Sequence, residues 1–212
     1  MLTYAEPLAE LHQGDCRLDY SGFLRSKVKT IGDAGLRFTE ADIHPKLYPF
    51  QKRLVLWALR RGRAAIFADC GLGKTFMQLE WARHIPGKVL IVAPLSVAQQ
   101  TVGESAKLDM EIAFARRPFE VKTDVVITNY EMIEEFDPVQ YAGVVLDESS
   151  ILKSINGKTR EKLIKMFAQI PYRLCCTATP APNDIAEIAN HAEFLGILTR
   201  AEMLATFFVH DD

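Results

Sequence analysis

A short apolar run that leads into a glycine-rich turn constrains this chain more than any other stretch. Residues 65–75 read Ala-Ile-Phe-Ala-Asp-Cys-Gly-Leu-Gly-Lys-Thr. The run predicts a buried strand, and Gly71 and Gly73 let the backbone curl so that its N–H groups point inward. Lys74 and the N-terminus of the following helix add positive potential. The stretch therefore predicts a phosphate-binding loop.

Such a loop assigns a role to each residue in it. We expect the backbone of Gly71, Leu72 and Gly73 to cradle the phosphates of a nucleotide, and Lys74 to reach the β- and γ-phosphates. The Thr75 hydroxyl is expected to help hold Mg²⁺. The alternative is an ordinary strand-to-helix turn with an exposed lysine, which the flanking strand and helix disfavour. One departure is an alanine at position 68, where the general pattern has glycine.

Composition narrows the class of protein. The 212 residues, 49% of them hydrophobic, suffice for one large domain or a domain plus an extension. With a formal net charge of −2, any nucleic-acid binding must come from a local surface. The four cysteines show no Cys-x-x-Cys spacing, so neither zinc nor a disulfide framework is indicated. No apolar run reaches the roughly 18 residues that span a bilayer, and we expect a soluble, cytoplasmic protein without membrane contact.

The alternation of apolar runs with helical patterns predicts an α/β fold, with a mostly parallel central sheet flanked by helices on both faces. Strands are predicted at 65–68, 89–93, 125–127, 144–146 and 173–176. Helices are predicted at 50–61, after Gly73, from Ser96, at 157–169, after Asn183 or Asp184, and after Thr199. Residues 1–46 are predicted to be an N-terminal extension with one short helix at 23–31.

Two carboxylates follow the strand at 144–146. In open parallel sheets, ligands collect beyond the carboxyl ends of the strands, where the phosphate-binding loop also lies. We expect Asp147 to hold Mg²⁺, commonly through water, and Glu148 to orient and deprotonate the water that attacks the γ-phosphate. An isolated Asp-Glu pair would indicate only a solvated turn. Its position after an apolar strand, downstream of the loop, favours catalysis.

Polar residues at other element ends complete the candidate site. The Gln51 amide can present a donor and an acceptor to the edge of adenine, although a solvated helix residue is the alternative. Ser96 with Gln99 predicts a capping box whose N–H groups and hydroxyl could hold a nucleic-acid phosphate, although capping alone would explain Ser96. The hydroxyls of Thr177 and Thr179 could link the acidic pair to a bound strand.

Taken in order, these segments resemble motifs Q, I, Ia, Ib, II and III of superfamily 2 helicases. They are Gln51, residues 68–75, 93–96, 128–130, 147–148 and 177–180. Within the superfamily, Pro-Leu-Ser-Val at 94–97 and Asn-Tyr at 129–130 resemble the SWI/SNF-related branch. Residues 60–211 resemble phage- and prophage-associated members. The superfamily accepts alanine at position 68, but Ser149 and Ser150 stand where it often has Ala-His, so no role is carried over to them.

The resemblance implies a RecA-like lobe that binds ATP and Mg²⁺ and contacts nucleic acid, expected to be double-stranded DNA. Its nucleic-acid residues would be Pro94, Ser96, Asn129 and Tyr130. Lys158 or Arg160 on the helix at 157–169 is a further candidate, although a solvated helix face is the default reading. Thr177 and Thr179 would couple DNA binding to the ATP site.

These motors have two RecA-like lobes, and the second lobe carries motifs IV to VI with an arginine finger. We therefore expect an extension at 1–46, an ATP-binding lobe at 47–196 and the helical start of a continuation at 197–212. The function expected is that of a DNA-dependent ATPase, helicase or translocase that is inactive or very slow without its second lobe. A nucleotide-gated DNA-binding module and a small-molecule kinase are the alternatives. If the chain were complete, its catalytic arginine would have to be Arg116, Arg117, Arg160 or Arg173.

Overall fold

A six-stranded parallel sheet carries the fold in this computed structural model, which describes residues 33, 35–153 and 158–208. Its strands are β1 (Arg63–Phe67), β2 (Val89–Ala93), β3 (Ala113–Phe114), β4 (Val125–Asn129), β5 (Gly143–Asp147) and β6 (Tyr172–Thr177). They lie in the order β1-β6-β5-β2-β4-β3, and every pairing is parallel. The predicted α/β class is confirmed, although the short edge strand β3 was not predicted.

In the described part of the chain, six α-helices connect and cover the strands. They are α1 (Pro49–Arg61), α2 (Lys74–His84), α3 (Leu95–Ser105), α4 (Lys158–Phe167), α5 (Ile188–Leu195) and α6 (Arg200–Phe207). Short 3-10 turns occur at Glu40–Asp42, Ala106–Leu108, Pro118–Glu120, Ile133–Glu135, Pro138–Gln140, Ser149–Lys153 and Ile185–Glu187. The helix predicted at 23–31 lies outside the described residues. Within the described part of the chain, no helix is long and apolar enough to cross a membrane.

Successive residues of the central strands point to opposite faces and build two cores. On β2, Val89 and Ile91 pack into a cluster with apolar residues of α1, α2 and α3. Leu90 and Val92 pack on the other face, in a cluster that includes residues of α4 and α5. The sheet is therefore covered by helices on both faces, as predicted.

The strand order brings three strand ends together. β6 pairs with β1 on one side and with β5 on the other. Phe67, Thr177 and Asp147 are the last residues of β1, β6 and β5, respectively. Because the strands are parallel, these ends lie at one edge of the sheet. The turn after β1 and the carboxylates at the end of β5 are thus held on either side of Thr177.

The segment before α1 is anchored to the body of the domain. Ile43 and Leu47 are buried in the core, and the His44 N–H donates to Oε1 of the fully buried Glu80 at 2.8 Å. Burial acts to raise the pKa of Glu80, but hydrogen bonds from His84 and from the His44 N–H outweigh it and bring the pKa below its ordinary value. A buried carboxylate on α2 therefore holds this segment in place.

Arg173, near the start of β6, joins two helix ends. Its guanidinium donates to the carbonyl oxygens of Ile170 at 2.9 Å, Ala168 at 2.6 Å and Phe194. The Ala168 and Phe194 carbonyls lie at the C-terminal ends of α4 and α5, where helical partners are missing, and Ile170 lies between α4 and β6. Burial, together with the neighbouring Arg63, lowers the pKa of Arg173 to about 10. The side chain remains charged at neutral pH and is a structural link.

We expect Arg173→Met to lower the free energy of unfolding by about 3 kcal/mol, because several carbonyls lose a charged donor. Urea denaturation measures the change. Arg53→Met, at an exposed position of α1, is the matched control and should change stability by less than about 0.5 kcal/mol. Equal effects of the two substitutions would show that the guanidinium does not stabilise the helix ends.

Candidate nucleotide-binding site

The turn between β1 and α2 has the backbone of a phosphate-binding loop. Gly71 and Gly73 have φ angles of 81° and 74°, in the left-handed region that favours glycine. A Cβ on Gly73 would lie 2.4 Å from Nε2 of Gln51, whereas a Cβ on Gly71 would have no atom within 4 Å. The conformation favours glycine at both positions, and a side chain at position 73 would also displace the Gln51 amide, whereas there is open space beside Gly71.

Lys74, the first residue of α2, folds back over the loop. Its Nζ donates to the carbonyl oxygens of Ala68 at 2.9 Å and Asp69 at 3.2 Å. An ammonium group has three donors, so a further one remains for a ligand. Thr75 follows in the first turn of α2 and is half-buried. The loop, the lysine and a helix N-terminus together form the kind of cationic cradle that binds phosphate.

Gln51 connects the start of α1 to the loop. The side chain is only 3% exposed. Its Oε1 accepts from the Tyr48 N–H at 2.9 Å, and its Nε2 donates to the Leu72 carbonyl at 2.9 Å. A primary amide has two donors and two lone pairs, so one of each remains. Gln51 thus supports the loop directly, and its contact with adenine stays a prediction.

Asp147 ends β5 and is 4% exposed. Its Oδ1 accepts from Nε2 of Gln78 at 2.6 Å and from the Glu148 N–H at 3.0 Å. The Tyr130 hydroxyl donates to its main-chain carbonyl at 2.7 Å. Burial raises the pKa of Asp147 above its ordinary value, whereas the hydrogen bond from Gln78 acts in the opposite direction. The carboxyl is held by Gln78 of α2 and by the Glu148 N–H just after β5, and Tyr130 holds the main chain of the same residue.

Glu148 adopts an uncommon backbone conformation. Its φ of 51° is rare for a residue other than glycine, and such strain persists where the surrounding structure enforces it. Oε2 of Glu148 accepts from the Thr177 hydroxyl at 3.2 Å, and that hydroxyl accepts from the Thr179 N–H at 3.1 Å. The Ala68 N–H donates to the Thr177 carbonyl at 3.2 Å. Thr177 therefore contacts both the phosphate-binding loop and the acidic pair.

Two parts of this network were missed by sequence reasoning. The first part is Gln78, which is fully buried. Its position one turn after Lys74, on the packed face of α2, is the sequence feature that could have identified it. The second part is a contact of 3.1 Å between Oγ of Ser149 and Nε2 of His191, both buried. Burial lowers the pKa of His191 and favours its neutral form. No sequence pattern linked this histidine on α5 to the acidic motif.

The residues predicted to contact nucleic acid lie at the carboxyl ends of β2 and β4 and differ in accessibility. Ser96 is exposed and Pro94 is half-buried. Asn129 is 6% exposed, and its amide donates to the carboxylate of Glu131. The half-buried Tyr130 directs its hydroxyl to the main chain of Asp147. Ser96 is thus the most accessible of the four, and Tyr130 connects this edge to the acidic pair.

The predicted capping box of Ser96 with Gln99 is wrong. α3 begins at Leu95 with Pro94 as its N-cap, and no side chain accepts a hydrogen bond there. The Pro94 carbonyl accepts from the N–H groups of Val97 and Ala98 at 2.9 and 3.0 Å. Because proline sets the backbone for the first turn, the helix starts before Ser96 and leaves its hydroxyl outside the cap.

Three of the four arginines considered as catalytic candidates lie away from the phosphate-binding loop, and the fourth, Arg160, is bonded to a neighbour on α5. Arg116 and Arg117 follow β3, at the edge of the sheet opposite β1. Five strand spacings separate these edges by about 24 Å. Arg160 on α4 donates to Oδ1 of Asn190 at 3.2 Å. Arg173 is buried near the start of β6, at the end of that strand remote from the loop.

The oxygen donors beside the loop suit Mg²⁺. Within the described residues, no group of three or more His, Cys, Asp or Glu side chains could hold a metal ion. Mg²⁺ does not require such a cage, because it commonly keeps several waters and binds one or two carboxylates together with substrate phosphates. The Asp147 carboxylate and the Thr75 hydroxyl are donors of this kind. The residues present therefore fit a magnesium–nucleotide complex.

Comparison with known protein families shows to which family this chain is related. The model of the SNF2-related domain matches residues 50–207, from the first turn of α1 to the last residue of α6. The chain belongs to the SNF2-related family. This confirms the predicted resemblance to the SWI/SNF-related branch. The SNF2-related domain includes every candidate residue from Gln51 to Thr179.

Named relatives of this SNF2-related domain are larger proteins. The human DNA annealing helicase and endonuclease ZRANB3 is 28% identical over 200 residues, which cover 80% of this chain and 18% of that protein. The ATP-dependent helicase FUN30 of Saccharomyces cerevisiae is 26% identical over 154 residues, covering 60% of this chain and 13% of that protein. This chain thus spans less than a fifth of their length.

Solved structures share the fold. The Sulfolobus solfataricus SWI2/SNF2 ATPase core in complex with dsDNA superimposes with a TM-score of 0.66 at 20% identity, covering 80% of this chain and 40% of that one. The UvsW helicase from bacteriophage T4 gives a TM-score of 0.57 at 16% identity, and the match covers 86% of this chain and 66% of that chain. At these identities the likeness concerns the fold. The phage resemblance is supported to that extent.

Proposed function

We propose that this chain is the ATP-binding N-terminal lobe of a DNA-dependent ATPase, of the helicase or double-stranded DNA translocase type. One observation carries the proposal. The phosphate-binding loop, Thr177 and the Asp147-Glu148 pair meet at the ends of three adjacent strands and are joined by hydrogen bonds. This arrangement can bind a nucleotide, and Thr177 can transmit a change at the phosphate-binding loop to Glu148.

Each residue of the site has a task in this proposal. Lys74 exchanges its bonds to loop carbonyls for bonds to the β- and γ-phosphates, which are charge-assisted and stronger. Thr75 and Asp147 hold Mg²⁺, which when bound neutralises charge on the phosphate oxygens. Glu148 orients a water molecule and accepts its proton. Gln51 holds the loop and contributes the preference for adenine.

We place double-stranded DNA across the carboxyl ends of β2 and β4. The exposed Ser96 offers a hydroxyl and lies in the first turn of α3, where helix N–H groups can approach a phosphate. Asn129 and Tyr130 form the second part of this edge. A shift of Tyr130 on DNA binding would be transmitted to Asp147 through their hydrogen bond. Thr177 and Thr179 supply the corresponding coupling to Glu148.

The proposed motor requires a second RecA-like lobe, from a continuation of the chain or from a separate chain. In this proposal residues 47–196 form the ATP-binding lobe, residues 1–46 an extension and residues 197–212 the start of the continuation. The support is that Arg116, Arg117 and Arg173 lie far from the phosphate-binding loop and that the Arg160 guanidinium donates to Asn190. In this proposal the arginine finger is supplied by another lobe.

We expect the chain to bind duplex DNA weakly and without sequence preference, because one lobe offers only part of the DNA track. Fluorescence anisotropy measured at salt concentrations from about 50 to about 200 mM should show a steep loss of DNA affinity, because salt screens the phosphate contacts. Ser96→Glu should weaken binding severalfold because it places a negative charge at the proposed phosphate contact. Gln100→Glu, one turn further along α3, is the matched control.

A tight complex that survives high salt would contradict this mode of binding. Equal affinity of the Ser96 and Gln100 variants would remove Ser96 from the DNA surface. If nucleotide switches DNA binding but a second lobe never stimulates hydrolysis, the chain is a nucleotide-gated DNA-binding module and the translocase proposal fails.

A further inference from the structure

A buried amide on α2 touches the carboxylate proposed to hold the metal. Gln78 is fully buried, and its Nε2 lies 2.6 Å from Oδ1 of Asp147. Only the N–H side of an amide can pair with an ionised carboxylate, so this contact fixes the orientation of the amide. The bond is short and charge-assisted, which makes it stronger than a bond between neutral groups.

The two carboxylate oxygens of Asp147 have different surroundings. Oδ1 receives two donors, from Gln78 and from the Glu148 N–H. Oδ2 receives no hydrogen bond from the described part of the chain. One oxygen is therefore held by the protein, and the other remains available to a ligand at the edge of the sheet where the phosphate-binding loop ends.

Core packing alone does not explain a glutamine at this position. Its Oε1 is buried and finds no hydrogen-bond partner among the described residues. A buried carbonyl without a partner is unfavourable, and methionine would fill a similar volume without it. The N–H side of the amide also lies beside the buried Cys176 thiol, but its bond to the Asp147 carboxylate is the charged contact, and that contact explains the amide.

We propose that Gln78 is a positioning residue for magnesium binding, which holds Oδ1 of Asp147 so that Oδ2 faces the metal bound to the nucleotide. The inference rests on the proposed function. Gln78 does not touch the nucleotide or the metal in this scheme and acts only through Asp147. Residues that support a metal ligand in this way typically change metal affinity by about 10- to 100-fold when replaced.

The test measures how nucleotide binding by the full chain depends on Mg²⁺. A non-hydrolysable ATP analogue is titrated at a series of Mg²⁺ concentrations by calorimetry. Gln78→Met should raise the Mg²⁺ concentration for half-maximal binding by about 10-fold, because Asp147 is no longer held. Met77→Leu, a buried change at the adjacent position of α2, is the matched control and should leave this concentration unchanged.

A double substitution separates positioning from a general structural effect. In an Asp147→Asn background, Gln78→Met should have no further effect on the Mg²⁺ requirement, because the residue through which it acts is already altered. The same tenfold loss in both backgrounds would overturn the inference. An unchanged Mg²⁺ requirement in Gln78→Met would also overturn the inference. In that case the proposed function would still stand, provided that the wild type binds the ATP analogue. If the wild type binds no nucleotide, the proposed function itself fails.

If Gln78→Met does not fold, Gln78→Asn tests the inference instead. Asparagine keeps the amide but is shorter by one methylene group, so its N–H cannot make the short bond to Asp147. The same rise in the Mg²⁺ concentration for half-maximal binding is expected. A Mg²⁺ requirement equal to that of the wild type would overturn the inference.

Discussion

The isolated chain is expected to hydrolyse ATP very slowly, even with duplex DNA present. Asp147 and Glu148 can position metal and water, but the transition state also needs cationic stabilisation of the γ-phosphoryl oxygens. In related phosphate-loop enzymes, an arginine finger is worth about 10³- to 10⁵-fold in rate. A second RecA-like lobe, added in trans or restored in a longer chain, should raise DNA-stimulated hydrolysis by a factor of this order.

Phosphate release, measured with and without DNA and the second lobe, checks this result. Glu148→Gln is the control, since it should abolish the gain while ATP binding persists. The amide keeps the size of the side chain but cannot accept a proton from water. If residues 1–212 alone hydrolyse ATP as fast as a complete translocase, the proposal of a separate catalytic lobe is wrong.

Lys74→Ala is expected to lower the affinity for ATP with Mg²⁺ by about 100-fold, because phosphate charge would lose the cation that pairs with it. Isothermal titration calorimetry on the isolated chain measures the change. Lys88→Ala, at an exposed position before β2, is the matched control and should bind ATP as the wild type does. Equal ATP binding by wild type and Lys74→Ala would refute the assignment of the phosphate-binding loop.

Much of the architecture was predictable because it depends on short stretches of sequence. Continuous apolar runs indicate strands buried on both faces, and the helical patterns between them require parallel connections. Gly71 and Gly73 marked the loop, since only glycine readily adopts the left-handed conformations they have. Asp147 and Glu148 were recognised from the apolar strand before them. Each of these signals arises from the backbone and side chains of neighbouring residues.

Other features depend on which distant segments meet. The amide of Gln78 reaches Asp147 across 69 residues of sequence, and that of Gln51 reaches the Leu72 carbonyl across 21. Neither pairing has a local pattern. The start of α3 also differed from prediction, because Pro94 provides the cap expected of Ser96. The two glutamine contacts follow from hydrogen-bond partners that are chosen in three dimensions, whereas the start of α3 follows from the local backbone that Pro94 sets.

The sequence by itself determined the class of fold, the phosphate-binding loop and the two carboxylates, since local conformation and apolar periodicity specify them. Only the tertiary structure decided the strand order that puts Thr177 between the loop and Glu148. It also decided that Arg173 links helix ends far from the loop. The physical reason is that packing of the sheet against two helical layers selects strand neighbours, and strand neighbours in turn select the partners of each buried polar group.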